Sequence, residues 1–317
     1  MQIRVNEKRT DNIRNETVNG LNVTVLLSAD NVNKSIPPTE YMGKSGFDPA
    51  NVLINVRLMR KGKIYNMISS NLGVLGAYCS ILKNHTLWKH GSVKEKKSNN
   101  SKEVVSRSLF IPFFGHHNIK GDDELTVTVN VSRDAFKDGI NATESSVLVT
   151  ANQSIGIETA IYSFHEAVIQ QNMSNESFNL GDNVVRVGLM SFELDPLKQV
   201  YKNASLSSDR LDFTANEYEL ELRHLQQFPY NSSDVLLADK STNGAPQPYP
   251  NSYIIHDKDE IDQAKITINM NSQNVDGSKN MVVWTKFETS AEILIKAQAM
   301  ADKHANENIS KLPAELT

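Results

Sequence analysis

Two octapeptides, LTVTVNVS at 125–132 and KITINMNS at 265–272, write nearly the same line twice. Each alternates apolar with hydroxyl or amide residues, the period-two pattern of a strand with one face in a core. From Val127 to Ile266 the offset is 139 residues. One matched pair of alternating strands carries little weight, but further matches follow in order. SVLVT at 146 answers MVVWT at 281, and KDG at 137–139 answers VDG at 275–277. NVLINVRLM at 51 answers NVVRVGLMS at 183. A period of about 135 residues is far beyond the 20–50 residues of a solenoid repeat. It is the size of a whole β-sandwich. A duplicated chain of this kind folds as two similar units side by side, each burying the apolar faces of two sheets against one another.

Strand signals dominate the rest: 21–29, 51–59, 124–132, 145–151, 183–194, 264–271 and 280–287, with a weaker one at 159–170. Each half then holds roughly eight short strands, the count of a jelly roll. Three helices are expected. Residues 66–83 place Ile68, Leu72, Leu75, Cys79 and Leu82 at three-to-four spacing. Residues 214–228 open with Thr214 and Glu217 in a capping-box pattern. Residues 290–309 are Ala-rich and charged, with Ser290 as a cap. The first two fall in corresponding slots of the two halves. Residues 91–108, where five Lys and Arg (94, 96, 97, 102, 107) face Glu95 and Glu103, read as an exposed excursion. Residues 241–252, rich in Pro and Gly, read as an extended loop.

The chain has 317 residues, 39% of them hydrophobic, so a sizeable core is available. A formal net charge of −4 argues against a dedicated nucleic-acid binder. With Cys79 as its one cysteine the chain closes no disulfide on itself, and its apolar surroundings read as core. No stretch reaches the ~18 apolar residues of a membrane span. The first twenty residues lack the apolar region of a signal peptide. Repeated Asn-x-Ser/Thr triplets, at Asn15, Asn22, Asn130, Asn172, Asn175 and Asn231, read as polar strand faces and loops.

A search for chemistry yields no catalytic, cofactor-binding or metal residue. MGKS at 42–45 has Pro38 where a phosphate loop needs glycine. GHHN at 115–118, followed by Asp122 and Asp123, reads as a surface loop, since adjacent histidines on a strand point apart. Asp257, Asp259, Glu260 and Asp262, within HDKDEID at 256–262, lack the spacing of a calcium loop and read as solvated. His165 and Glu166 are expected on opposite faces of one strand.

These features together resemble the double jelly-roll major capsid proteins of tailless, membrane-containing icosahedral viruses, above all the bacterial ones. The resemblance rests on NVLINVRLMRKGKIYNMISSNLGVLGAYCSIL and NVVRVGLMSFEL as early strands, on the LTVTVNVS and KITINMNS pair, and on one inserted helix per half. It implies an all-β protein of two tandem eight-stranded jelly rolls and no enzymatic activity. The division is an N-terminal arm at 1–20, a first jelly roll at 21–155, a second at 156–289, and a C-terminal helix and tail at 290–317. The family's mechanism would make the chain a homotrimer forming a pseudo-hexagonal block. Such blocks tile a shell around an internal membrane, contacting neighbouring trimers, penton or spike proteins and membrane proteins of the virion, after assembly in the host cytoplasm. The long loops would face outward and the termini inward. Arg4, Lys8, Arg9 and Arg14 would allow a lipid contact of the arm, against Glu7, Asp11 and Glu16. Two alternatives stay open. One is a glycoamidase-like enzyme on two jelly rolls. The other is a receptor- or carbohydrate-binding spike, for which Trp88 and Trp284 are the only tryptophans.

Overall fold

The structure, a computed structural model, describes residues 1–29, 47–83, 89–96, 103–136, 140–170, 175–193, 198–227, 251–271 and 280–288. The first unit is built from β1 (Gln2–Ile3), β2 (Glu7–Ile13), β3 (Glu16–Ala29), β4 (Val52–Arg60) and β5 (Lys63–Asn71), then helix α1 (Leu72–Lys83), then β6 (Lys89–Lys96), β7 (Glu103–Ile119), β8 (Glu124–Val131) and β9 (Ser146–Gln153). The second is built from β10 (Tyr162–Val168), β11 (Asn175–Gly181), β12 (Val184–Ser191), β13 (Tyr201–Ser207) and β14 (Asp212–Asn216), then α2 (Glu217–Gln227), then β15 (Tyr253–Ile261), β16 (Ala264–Met270) and β17 (Asn280–Phe287).

The two units share one topology. The sheet orders β1-β9-β3-β7 and β2-β8-β4-β5 of the first reappear as β10-β17-β12-β15 and β11-β16-β13-β14 of the second, with every pairing antiparallel. Each set of two four-stranded sheets is a jelly roll, and β6 is an extra edge strand of the first. The helices occupy the same slot, after the fifth strand. The fold is therefore all-β, a double jelly roll.

The strands that carry the repeat are equivalent in detail. Val127 and Val129 of β8 are buried opposite Val56 and Ile54 of β4. Ile266 and Ile268 of β16 are buried opposite Leu206 and Ala204 of β13. On the other face Thr128 exchanges a hydroxyl hydrogen bond with Thr10 at 3.0 Å, and Thr267 with Ser177 at 2.7 Å. Core and solvent face thus repeat together. The match of 51–59 with 183–191 does not hold: β4 corresponds to β13, and β12 corresponds to β3. Alternating strands share letters without sharing a position in the sheet.

Four expectations need correction. The N-terminal segment is not an arm. All seven residues of β2 pair with β8, from Glu7 opposite Val131 to Ile13 opposite Leu125, and Ile3 is wholly buried. Its charges belong to an edge strand, where charged side chains discourage pairing between molecules. Residues 66–71 continue β5 with alternate burial, and the helix starts at Leu72, with the Asn71 side chain accepting from Val74 N at 2.9 Å. The cap of α2 is Asn216 rather than Thr214. Its side chain accepts from Glu219 N at 3.1 Å, while Glu219 accepts from Asn216 N at 2.8 Å. Residues 91–108 lie largely in β6 and β7, a pair whose register slips twice; lysine-rich edge strands read as loops. The expected helix at 290–309 and the loop at 241–250 lie outside the described residues.

No helix among the described residues is long and apolar enough to cross a membrane. Ile268→Ala should cost about 2–5 kcal/mol of stability. Thr267→Ala, one residue away on the solvated face, should cost under ~1 kcal/mol. Urea unfolding of both variants checks the pair.

Candidate functional site at the seam between the barrels

Helix α1 reads LGVLGAYCSILK, apolar almost all round, whereas α2 reads EYELELRHLQQ. A helix without a polar face has to be covered on more than one side. Its inner side closes the first barrel. Its outer side, with β5 and β7, meets the outer face of the β10-β17-β12-β15 sheet. There Phe164, Met190, Ile254, Met281 and Val283 of the second unit belong to the same buried cluster as the first barrel's core. A space of about 10 Å³ at this seam is lined by Met67, Leu75, Tyr78, Phe113 and Phe164 among others. That is at most one water, not a ligand site.

Tyr78 sits at the centre, fully buried. Its ring packs on Phe164 (centroids 4.9 Å apart) and edge-on to Phe114 (6.1 Å). Its hydroxyl lies 2.9 Å from Thr285 Oγ1. Arg186 Nη1 donates to Tyr78 Oη at 3.4 Å, and Arg186 Nε donates to Asp257 Oδ1 at 2.6 Å. The guanidinium also lies 4.9 Å from the centre of the Phe114 ring. Burial raises the Tyr78 phenol's pKa. Burial opposes the Arg186 charge, but Tyr78 and Asp257 together hold its pKa above the ordinary value. At the seam's edge Ser70 Oγ donates to Glu166 Oε2 at 2.5 Å, and burial still raises the Glu166 pKa.

A second polar cluster straps the connection between the barrels. Arg60, 5% exposed, donates from Nε to Asp123 Oδ2 at 2.9 Å and from Nη2 to the Asn118 carbonyl at 3.0 Å, and pairs with Glu158 of the connecting segment. His116 N donates to Thr159 Oγ1 at 2.8 Å, Thr159 N donates back to the His116 carbonyl at 2.9 Å, and the His116 ring meets Ser154 Oγ at 2.9 Å. Gly115 permits this approach, since a Cβ there would stand 1.8 Å from Thr159 Oγ1. His117, on the other face of β7, is wholly buried, and neither ring nitrogen has a hydrogen bond of regular geometry. Burial, then Arg60 and His116, lower its pKa to about 4.

These placements overturn two expected loops. GHHN lies in β7, with His117 opposite Val18 and Asn118 opposite Thr17, and Asp123 holds Arg60. HDKDEID lies mostly in β15. There Asp257 holds Arg186, His256 Nε2 donates to the Asp259 carbonyl at 2.7 Å, and Asp262 accepts from Asn183 N at 2.9 Å. No three His, Cys, Asp or Glu among the described residues form a metal-sized group. Cys79 is buried in α1. MGKS and Trp88 lie outside the described residues.

His165 and Glu166 do lie on opposite faces of β10. His165 stacks on Trp284 (centroids 5.3 Å) and meets Ser163 Oγ at 2.8 Å, while Ser163 Oγ donates to Glu288 at 2.7 Å. A nucleophilic serine gives its proton to histidine, with the carboxylate on the far side of the ring. Here the serine proton goes to the carboxylate, so the histidine nitrogen is the donor and the order is wrong for that chemistry. The arrangement joins surfaces and holds no reacting atoms in the open.

No protein-family model matches the chain, and no curated protein matches it. Among solved structures, 90% of the chain aligns with 88% of a chain from the atomic structure of Sulfolobus Turreted Icosahedral Virus, at a TM-score of 0.50 and 12% identity. It also aligns with a chain of the Sputnik virophage structure (90% and 84% covered, TM-score 0.34, 8% identity) and with the mavirus major capsid protein (90% and 86%, TM-score 0.38, 7% identity). The likeness is one of fold, over nearly the whole of both chains in the first case.

Tyr78→Phe should cost about 1–3 kcal/mol, because it leaves Thr285 and an Arg186 N–H short of a buried partner. Combining it with Thr285→Val should recover part of that loss in a double-mutant cycle read by thermal unfolding.

His117 and His224 both have pKa values lowered to about 4, in each case chiefly by burial. Both are neutral when folded, and His224 Nδ1 accepts from Ile254 N at 3.3 Å. The unfolded chain takes up their protons first as pH falls. Each therefore contributes on the order of 3 kcal/mol at neutral pH that is lost between about pH 6.5 and 4. Glu166 and Glu217, raised by burial, act in the opposite sense over their own range. His117→Leu should flatten the loss of stability between pH 6.5 and 4, measured by denaturant titrations across that range; an unchanged slope would contradict the assignment.

Proposed function

We propose that this chain is a structural capsid protein of an icosahedral virus, a tile rather than a catalyst. The observation that carries the reading is the duplication itself: two jelly rolls of one strand order, welded by a dry seam, in a fold shared along 90% of the chain with a chain from an icosahedral virus structure. Two similar barrels per chain give a purpose to a trimer. Three chains present six barrels and fill a near-sixfold position in a shell. Neighbouring trimers, penton or spike proteins and membrane proteins of the virion are the partners of such a tile, with an internal membrane beneath it. A Sulfolobus virus among the neighbours makes this a reading of shell type, not of a bacterial host. The N-terminal segment, paired into both sheets of the first barrel, does not favour the expected lipid-binding arm.

Light scattering of the purified chain should give a mass of three 35.4 kDa chains. Electron microscopy of the same sample should show flat hexagonal blocks. A monomer at every concentration would overturn the reading. Release of sugar from a glycopeptide would favour the enzyme alternative.

A further inference from the structure

The duplication supplies a control for each surface position of the second barrel. One row across its β11-β16-β13-β14 sheet is asparagine on all four strands: Asn175 opposite Asn269, Asn269 opposite Asn203, and Asn203 opposite Asn216. The row lies two residues from Thr267, hence on the same solvated face. The matching row of the first barrel is Lys8, Asn130, Leu53 and Asn71. The backbones differ here as well. β4 runs beside β8 from Val52 to Met59 without a slip, whereas β13 slips against β16 between Tyr201 and Asn203. Lys202 is the extra residue of that slip, and a bulge of this kind re-aims a side chain.

These departures meet in one crevice of about 690 Å³. It is lined by Asn175, Asn203 and Asn269 of the row, by Lys202 of the bulge, and by Gln199 and Asn271 among others. That is the size of a small-ligand site. Each amide offers an acceptor oxygen and two N–H donors. Asn269 Nδ2 donates to Asn203 Oδ1 at 2.5 Å, which leaves Asn269 Oδ1 and the Asn203 amide N–H groups open to a ligand. The side chains of Asn175, Gln199 and Asn271 form no hydrogen bond among the described residues. The described lining contains no carboxylate, and its one formal charge is the Lys202 ammonium.

We infer that the crevice binds an acidic glycan. Sugar hydroxyls both donate and accept, as the amides do, and Lys202 takes a carboxylate or sulfate of the ligand. An apolar ligand would leave the amides unpaired. A hard cation would find oxygen ligands but no negative charge. The crevice lies at the end of the barrel away from the connecting segment. β11 begins there and runs to Gly181, next to the turn where the Asn183 carbonyl accepts from Phe287 N, while Glu288 N donates to the Ile161 carbonyl. In a shell whose termini face inward, that end faces outward. The inference rests on the shell reading for this placement alone. Many copies on one particle would turn a weak single contact into firm attachment, linked sites gaining about 10²–10⁴ in avidity.

The test uses the full-length chain and saturation-transfer NMR. The probes are sialyllactose for a carboxylate, a sulfated heparin disaccharide for a sulfate, lactose as a neutral sugar, and sodium sulfate as the bare ion. At least one acidic sugar should bind in the millimolar range, and lactose about tenfold more weakly, the size of one hydrogen bond to a charged group. Lys202→Ala should bring the acidic sugar down to the lactose level, and Asn175→Ala should weaken both. Lys8→Ala, in the matching row of the first barrel, should leave binding unchanged. Both lining positions are exposed; thermal unfolding checks that each variant folds, and Lys202→Gln or Asn175→Ser replaces any that does not. The tighter acidic sugar names the acidic group. Binding of neither, displacement by equimolar sulfate, or an equal loss in Lys8→Ala would overturn the inference. The trimer mass tests the shell reading separately, so either can fail while the other stands.

Discussion

Everything in this molecule depends on the covering of α1. A single jelly roll buries the inner faces of its two sheets and can stand alone. The first barrel here does not, because the helix that closes its side has no polar face to give to water. The outer sheet face of the second barrel supplies the cover. Phe164, Met190, Met281 and Val283 meet α1 and its neighbours, so this outer sheet face joins the first barrel's core, while the second barrel keeps a core of its own around Val187, Leu189, Ile266 and Ile268. At the centre of the contact, Tyr78, Thr285, Arg186 and Asp257 satisfy one another, which lets charge lie in a largely apolar layer. Breaking such a buried pair from one side costs about 3–5 kcal/mol, so the seam resists separation of the barrels. The strap formed by Arg60, Glu158, His116 and Thr159 fixes the connecting segment beside it.

That rigidity is what the proposed role as a shell tile would need. A two-barrel chain with a hinge would present its edges at variable angles. A chain whose second barrel is packed into the core of the first would present the same outline each time. The polar residues that resemble active-site parts (Ser163 with His165, Glu166 with Ser70) are engaged in holding strands together.

Much of this was legible in the amino-acid sequence, and the failures share a cause. The alternation of β8 and β16 is read from Val127, Val129, Ile266 and Ile268 alone, because a half-buried strand must alternate. The helix slot was legible from the apolar run after Asn71. Which strand sits beside which was not, and so 51–59 was paired with 183–191 although they occupy different positions. Charge misled wherever it was neutralised from a distance. Asp123 and Asp257 look like members of acidic loops, but their partners Arg60 and Arg186 lie 63 and 71 residues away in sequence. Edge strands misled in the same way: β2 and β6 carry the charges expected of an arm and a loop. The seam itself had one sequence signal, the all-round apolarity of α1, which a comparison with α2 would have exposed.

The most direct test of the account is calorimetric unfolding of the intact chain. With the first barrel's core running on into the outer sheet face of the second, the two barrels should melt in one cooperative transition, its calorimetric enthalpy equal to its van't Hoff enthalpy. Tyr78→Ala should split that transition or lower it as a whole. Two well-separated transitions in the unmodified chain, each unmoved by Tyr78→Ala, would show that the barrels are independent beads and that the seam holds nothing.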